Sequence, residues 1–267
     1  MFEVPRAEYR QVAAAFEQMG VRRRWELLSC CFDSPLPEER SPVRLLTDCR
    51  AQPHSAAVIM GDFALLYGQA DPQLLAGFAR PGLLLIGSRE WQQLAQERFA
   101  CRSYQRQRFL LRPDERLLHH LQQLARPVPG TRLEPIGERW FSDCRSREWA
   151  ADFCSQFACF TDYARWGRGI LLIQNDEPVS GASSYLVSRT GFTIQVQTRQ
   201  DCQRKGYAKT VAAALILEAI QQGLYPDWDA DNDASAALAV QLGYTPQERY
   251  TTVLLQAQEP EGNRENK

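Results

Sequence analysis

The chain has 267 residues, enough for one large domain or two modest ones with proper hydrophobic cores. Hydrophobic residues make up 44% and charged residues 24%, and the formal net charge of −1 excludes the basic excess of a typical nucleic-acid binder. The longest apolar run, Val211 to Ile220, is broken by Glu218 and is too short to span a bilayer.

In chain order, residues 4–28 show helical periodicity, with Val12, Phe16 and Met19 on one face and Gly20 interrupting or ending the first helix. Residues 33–42, "DSPLPEERSP", read as a proline-rich loop. "AAVIMGDFALLYG" (56–68) reads as strand, turn, strand with the break at Gly61-Asp62, and "LLLIG" (83–87) as a buried strand. Ser88 is placed to cap a helix carrying Trp91, Leu94 and Ala95. "RFLLR" (108–112) is a further strand, after which Pro113 and Asp114 open a helix with Leu117, Leu121 and Leu124 on one face.

"ARPVPGT" (125–131) is the best linker, since two prolines and a glycine break any regular element. Beyond it the reading is a strand near 132–136, a helix over about 147–157, and a helical turn at 162–166. Strands follow at 169–174, 181–188 and 192–198, with turns at 175–179 and 189–191. A helix over 207–222 is stopped by Gly223 and Pro226. Then come the short strand "YPDWDA", a helix capped by Asn232 or Asp233 and ending at Gly243, a last strand at 249–256 and a solvated tail. No internal repeat is evident.

The eight cysteines contain no C-x-x-C, and His54, His119 and His120 lie far from any cysteine pair, so no metal is expected. The opening "MFEVPRAEYR" has no apolar h-region, and cysteines without a leader suggest reduced thiols and a cytoplasmic location.

Chemistry enters at "QTRQDCQRKGYAKTVAAALILEAI", which begins at Gln197. A strand ends in a polar turn that leads directly into a helix through Gln203-Arg204-Lys205-Gly206-Tyr207-Ala208. Free backbone N–H groups and the positive end of the helix dipole both favour an anion at such a junction. Gly206 lets the backbone approach a phosphate, and Arg204, Lys205 and Lys209 add positive charge; two of the chain's three lysines lie here. The spacings of a nucleotide P-loop, a dinucleotide fingerprint and a hydrolase nucleophile elbow are all missing.

Gln203-x-x-Gly206-x-Ala208 resembles the Q/R-x-x-G-x-G/A signature with which the GNAT N-acetyltransferases cradle the pyrophosphate of acetyl-CoA. The stretch "GLYPDWDADNDASAALAVQLGY" (223–244) resembles the zwittermicin-resistance type of that superfamily, with its W-D-A-x-N-x-x-S-x-x-L-A-x-x-L-G-Y pattern. The resemblance implies an α+β chain: an α/β N-terminal domain of unclear role (1–130), a GNAT acyl-CoA N-acyltransferase fold with a mixed central sheet flanked by helices (131–257), and a tail (258–267). It implies acetyl-CoA as acetyl donor, with 203–209, including Tyr207, at the pyrophosphate. Main-chain groups of Val196 and Thr198 would hold the pantetheine where the fourth strand of the domain parts from the fifth. Asn232 and Ser235 match polar positions along the pantetheine arm, although Asn232 also suits a helix cap.

The implied reaction is direct attack of a neutral primary amine, on a small polar acceptor, at the thioester carbonyl in a ternary complex. Two departures stand out. Ala239 occupies the place of a tyrosine that many members use as thiolate acid, and the fourth strand offers Thr193, Gln195 and Gln197 where many carry a glutamate base. Asp227, Asp229 and Asp231 alternate at strand period and would form an acidic face attracting a cationic amine, with Asp229 as candidate base; alternatively they are solvated or, like Asp231 and Asp233, favour the next helix N-terminus. Tyr185 is a further cleft candidate or a packed core residue. A non-catalytic acyl-CoA sensor or interaction protein is the alternative function. The N-terminal domain would cover the acceptor cleft or be a divergent copy of the same fold, and a homodimer is compatible with this reading.

Overall fold

The computed structural model of the chain describes residues 1–18 and 32–257. The later part of the first expected helix, with Met19 and Gly20, and the tail 258–267 lie outside the described residues.

In chain order the elements are β1 (Phe2–Glu3), α1 (Tyr9–Gln18), β2 (Val43–Thr47), β3 (Ser55–Met60), β4 (Phe63–Gly68), α2 (Pro72–Ala76), β5 (Leu84–Ile86), α3 (Arg89–Arg98) and β6 (Cys101–Leu110). There follow α4 (Glu115–Leu124), β7 (Arg132–Pro135), α5 (Glu138–Ser146), α6 (Phe160–Trp166), β8 (Gly169–Gln174), β9 (Glu177–Val187) and β10 (Gly191–Thr198). The chain closes with α7 (Tyr207–Gln221), β11 (Tyr225–Ala230), α8 (Asp233–Gln241) and β12 (Thr245–Leu255).

Two compact units result. Among the described residues, unit 1 holds 1–18, Val43–Gln105 and 250–257, and unit 2 holds 32–42 and Arg106–Arg249. This division differs from the boundary expected at 130/131. Leu117 and Leu121 of α4 pack in one cluster with Ala212, Ala213 and Ile216 of α7, so residues before the Pro-rich linker belong to the same body as those after it.

The units share a strand plan. In unit 1, β1 to β4 pair antiparallel in sequence, β4 and β5 pair in parallel across α2, and β5 pairs antiparallel with β12 at Val253↔Leu85. In unit 2, β7 to β10 pair antiparallel, β10 and β11 pair in parallel across α7, and β11 pairs antiparallel with β6 at Trp228↔Phe109. In each unit the parallel step is thus closed by a strand that is not next in the chain. This repeat leaves no trace in residue identities, because a strand plan requires only matching burial patterns.

Three local expectations are corrected. The helix sought at 147–157 forms instead at α5, where Trp140, Phe141 and Cys144 are buried. Residues 147–157 form turns around a single 3-10 turn at Ala151–Phe153, in which Phe153 and Phe157 are buried in the core, and their four-residue spacing mimics a helix. β6 begins at Cys101, well before residue 108, and β2 was not anticipated. β9 starts at Glu177 because Asn175 and Asp176 (φ 51° and 59°) make the tight turn from β8, a backbone form that asparagine and aspartate tolerate.

α7 organises unit 2. Val211, Leu215 and Ala219 join the cluster built on β8, β9, α5 and α6, while Ala212, Ala213 and Ile216 join the one built on β6, β11, α4 and α8. A helix buried on opposite sides needs apolar residues nearly all round, which is why "VAAALILEAI" has no polar stripe.

Candidate functional site

The site starts where two strands separate. β10 and β11 pair only at Gly191, Phe192 and Thr193, opposite Tyr225, Pro226 and Asp227. Gly191 sits so close to the Tyr225 carbonyl that a Cβ would collide with it. Beyond Thr193, β10 stays with β9 as far as Thr198↔Ser180, while β11 continues against β6. At the parting point the β9–β10 register shifts by one residue, and Thr193 Oγ1 accepts the Leu186 N–H at 3.0 Å. Such a bulge bends the strand and supplies the divergence.

Along the departing part of β10, Gln197 and Arg199 turn toward β9: Ser180 Oγ donates to the Gln197 carbonyl at 3.1 Å, and Arg199 N–H to the Val179 carbonyl at 3.0 Å. Strand alternation therefore turns the main-chain groups of Val196 and Thr198 to the side that β11 has left. Gln203 Nε2 reaches the Thr198 carbonyl on that side at 3.4 Å.

The turn into α7 is held from below by Arg199, which pairs with Asp201 at 2.7 Å. That guanidinium holds the Asp201 carboxyl below its ordinary range, chiefly through their hydrogen bond. Arg204 (φ 60°) and Gly206 (φ 83°) are both left-handed, and Gly206 is the N-cap of α7 without any side-chain cap. Among the described residues the backbone N–H groups of 204–209 have no hydrogen-bond partner in the chain. Alternating left-handed residues ahead of a helix N-terminus form a concave nest of amides suited to an anion. Gln203, Arg204, Lys205 and Gly206 are exposed, Ala208 and Lys209 half-buried, and Tyr207 buried beneath them. Lys205 Nζ touches the Asp201 carbonyl at 3.4 Å, and Lys209 Nζ reaches Gln241 Oε1 at 3.3 Å.

The protein-family model for GNAT acetyltransferases matches residues 43–253. The chain belongs to the GNAT acetyltransferase family. The match begins at residue 43 and so runs through both units. A GCN5-related N-acetyltransferase-like protein from Streptococcus suis 89/1591 is similar in structure, at TM-score 0.81 and 27% identity, covering 91% of this chain and 99% of that one. A tandem GNAT protein from the clavulanic acid biosynthesis pathway shares the fold at TM-score 0.53 and 10% identity, covering 97% of this chain and 98% of its own. An uncharacterised N-acetyltransferase, YdfB, from Bacillus subtilis (strain 168) is 28% identical over 93 residues, 34% of this chain. The match spans only 36% of that curated relative's length.

Past the splay of this GNAT fold, Asn232 is the N-cap of α8: its Oδ1 accepts the Ser235 N–H at 2.8 Å, and its Nδ2 donates to Asp231 Oδ1 at 2.8 Å. Ser235 Oγ accepts the Trp228 indole N–H at 3.2 Å. The local W-D-A-x-N-x-x-S spacing therefore has a structural use: a strand tryptophan and a helix-start serine lock β11 to α8. Ala239 is fully buried against its neighbours and offers no proton.

The acidic face expected on β11 does not exist as a negative patch. Asp229 Oδ1 accepts Arg106 Nε at 3.1 Å, with both side chains 8% exposed, and Asp227 lies 3.7 Å from Arg108 Nη2. Thr193, Asp227, Asp229 and both arginines share one sheet face, since residues paired across strands point the same way. Asp231 alone of the three is exposed. The carboxylate of Asp229 is thus committed to a guanidinium, which argues against its role as an open base. Tyr185 is buried on β9. Arg106 and Arg108 were missed in the sequence, although the alternation "RQR" at 106–108 mirrors "DWD" at 227–229.

Proposed function

We propose that the chain moves an acetyl group from acetyl-CoA to a primary amine on a small polar acceptor. One observation carries this reading: unpartnered amides at 204–209 stand beside a strand whose outward main-chain groups, at Val196 and Thr198, line the gap left by β11. The amides and the Arg204, Lys205 and Lys209 charges would take the pyrophosphate, with Gln203 ordering the turn. The main-chain groups at 196 and 198 would hold the amides of pantetheine as a strand neighbour would. Asn232 and Ser235, at the start of α8, would border the arm.

In the reaction the neutral amine nitrogen attacks the thioester carbonyl, the C–N bond forms, the C–S bond breaks and the thiolate leaves. With Asp229 held by Arg106 and Ala239 buried, the ammonium proton passes to water and the thiolate is reprotonated from solvent. The motif at 223–244 supports the zwittermicin-resistance-type subgroup. Six cysteines among the described residues are all free, in keeping with a cytoplasmic location, and no described helix is long and apolar enough to cross a membrane. We place the catalytic machinery within unit 2.

The Arg106–Asp229 pair also favours a second reading, an acyl-CoA sensor that retains the cradle without turnover. A thiol-release assay against amino acids, polyamines, aminopolyols and peptides separates the two. Acceptor-dependent release of CoA above the hydrolysis background supports the enzyme. Tight acetyl-CoA binding with no such release across the library supports the sensor.

A further inference from the structure

The parallel step of unit 1, from β4 through α2 to β5, corresponds in topology to the cradle step of unit 2, yet its chemistry is opposite. Asp71 Oδ1 accepts the N–H groups of Gln73 and Leu74 at 2.7 and 2.9 Å, so a carboxylate already occupies the amides there. A pyrophosphate would meet that negative charge, and unit 1 offers acyl-CoA no second cradle.

Beside this step lies a cavity of about 760 Å³ lined by Asp48, His54, Ser55, Gln69, Asp71 and Arg98, among others. Asp48 Oδ1 accepts the N–H groups of His54 and Ser55, both at 3.0 Å. Four backbone amides thus fix two half-buried carboxylates, and the wall between them is tied by Ser55 Oγ donating to the Gln69 carbonyl at 2.6 Å. Asp71 Oδ2 accepts no hydrogen bond among the described residues, and Asp48 Oδ2 faces His54 Nδ1 at 3.6 Å, an ion pair whenever that imidazole is protonated. Arg98, the last residue of α3, forms no ion pair or hydrogen bond among the described residues. Carboxylates held rigid by backbone, one outer oxygen without a hydrogen bond and the other facing only an exposed imidazole, are pre-organised for a cationic group.

We propose that this cavity binds a small amine-bearing zwitterion of the amino-acid type, its ammonium against Asp48 and Asp71 and its carboxylate toward Arg98. A bare anion would face two carboxylates, and a bare diamine would face the guanidinium; a ligand with both signs meets neither conflict. The volume lies within the range of about 300–1,000 Å³ found for small-molecule sites and leaves room around a single amino acid. The site is independent of acetyl transfer in unit 2.

The test is calorimetric titration of the full chain with the common free amino acids, each beside its N-acetyl and carboxamide analogues. The wild type is compared with Asp48→Asn, Arg98→Gln and Gly206→Asp. At least one amino acid should bind saturably, one per chain, with both charge-blocked analogues weaker by about ten-fold or more. Asp48→Asn and Arg98→Gln should each weaken it to a similar degree, while Gly206→Asp, which damages only the unit 2 cradle, leaves it unchanged. The carboxamide oxygen introduced by Asp48→Asn can still accept the two amides, and Arg98 gives up no contact, so both variants should melt near the wild-type temperature. No saturable binding by any amino acid at millimolar concentration overturns the proposal. So does binding that survives both unit 1 variants, or that disappears in Gly206→Asp.

Discussion

Arg106 clasps Asp229 at two points: its Nε donates to the carboxylate at 3.1 Å and its Nη2 to the Asp229 carbonyl at 3.0 Å. Both side chains are 8% exposed, so the pair joins β6 to β11 in a largely dehydrated setting. Truncating one partner leaves the other buried without its counter-charge, and that loss exceeds what the intact pair adds. Asp229→Ala is therefore expected to lower stability by about 3 kcal/mol, and the double change Arg106→Met with Asp229→Leu to recover most of it. Urea unfolding of the wild type and the two variants checks this. A loss of turnover in Asp229→Ala at wild-type stability would instead restore Asp229 as a base.

Gly206 separates backbone geometry from charge. A Cβ at this position would meet nothing within 4 Å, so the only local obstacle to a side chain is the φ of 83°. That conformation costs a non-glycine residue about 1–2 kcal/mol, less for asparagine and aspartate. Gly206→Asn and Gly206→Asp should therefore unfold at similar temperatures without ligand. With acetyl-CoA present, the aspartate variant should lose most of the thermal shift. One or two lost charge-assisted hydrogen bonds at about 1.5–3 kcal/mol each weaken binding by ten-fold or more. An undiminished shift in a folded Gly206→Asp protein would remove the phosphate cradle from the reading.

The Trp228–Ser235 hydrogen bond spans only seven residues and can be cut from either side. Trp228→Phe removes the donor and Ser235→Ala the acceptor, and the bond itself is worth about 1 kcal/mol. Because each change removes the same bond, the double variant should cost clearly less than the sum of the two single ones. Chemical denaturation of the four proteins measures the coupling, and strict additivity would show that the contact contributes nothing.

A pH dependence follows from Glu134. Its Oε2 accepts the Trp140 indole N–H at 2.6 Å and its Oε1 the Arg132 Nε at 2.6 Å, which pins β7 to α5. The indole bond first, and Arg132 second, hold the carboxyl below its ordinary value of 4.5. A depressed acid contributes stability that is fully present above its unfolded pKa and is lost as pH falls through the folded one. The stability difference between wild type and Glu134→Gln should thus be constant near neutrality and shrink below pH 4.5. Thermal melts across that range test it; a difference that grows on acidification would contradict the assignment.

What the amino-acid sequence determined by itself was local. The Gln203–Ala208 turn and the Asn232 cap were legible because their geometry is set by neighbours a few residues away, through left-handed backbone, missing helical partners and a side chain reaching the third amide. Tertiary structure decided the rest. Asp229 read as an open acid because its partner lies 123 residues earlier, and only the register of β11 against β6 brings them together. The repeated strand plan of the two units, one of two alternatives for the N-terminal domain, could not be decided from the residues for a related reason: β12 and β6 close steps far from them in the chain, and pairing depends on backbone hydrogen bonds that every sequence offers. Residue identity records what a side chain prefers nearby, whereas the partner it meets across a sheet is chosen by the packing of the whole unit.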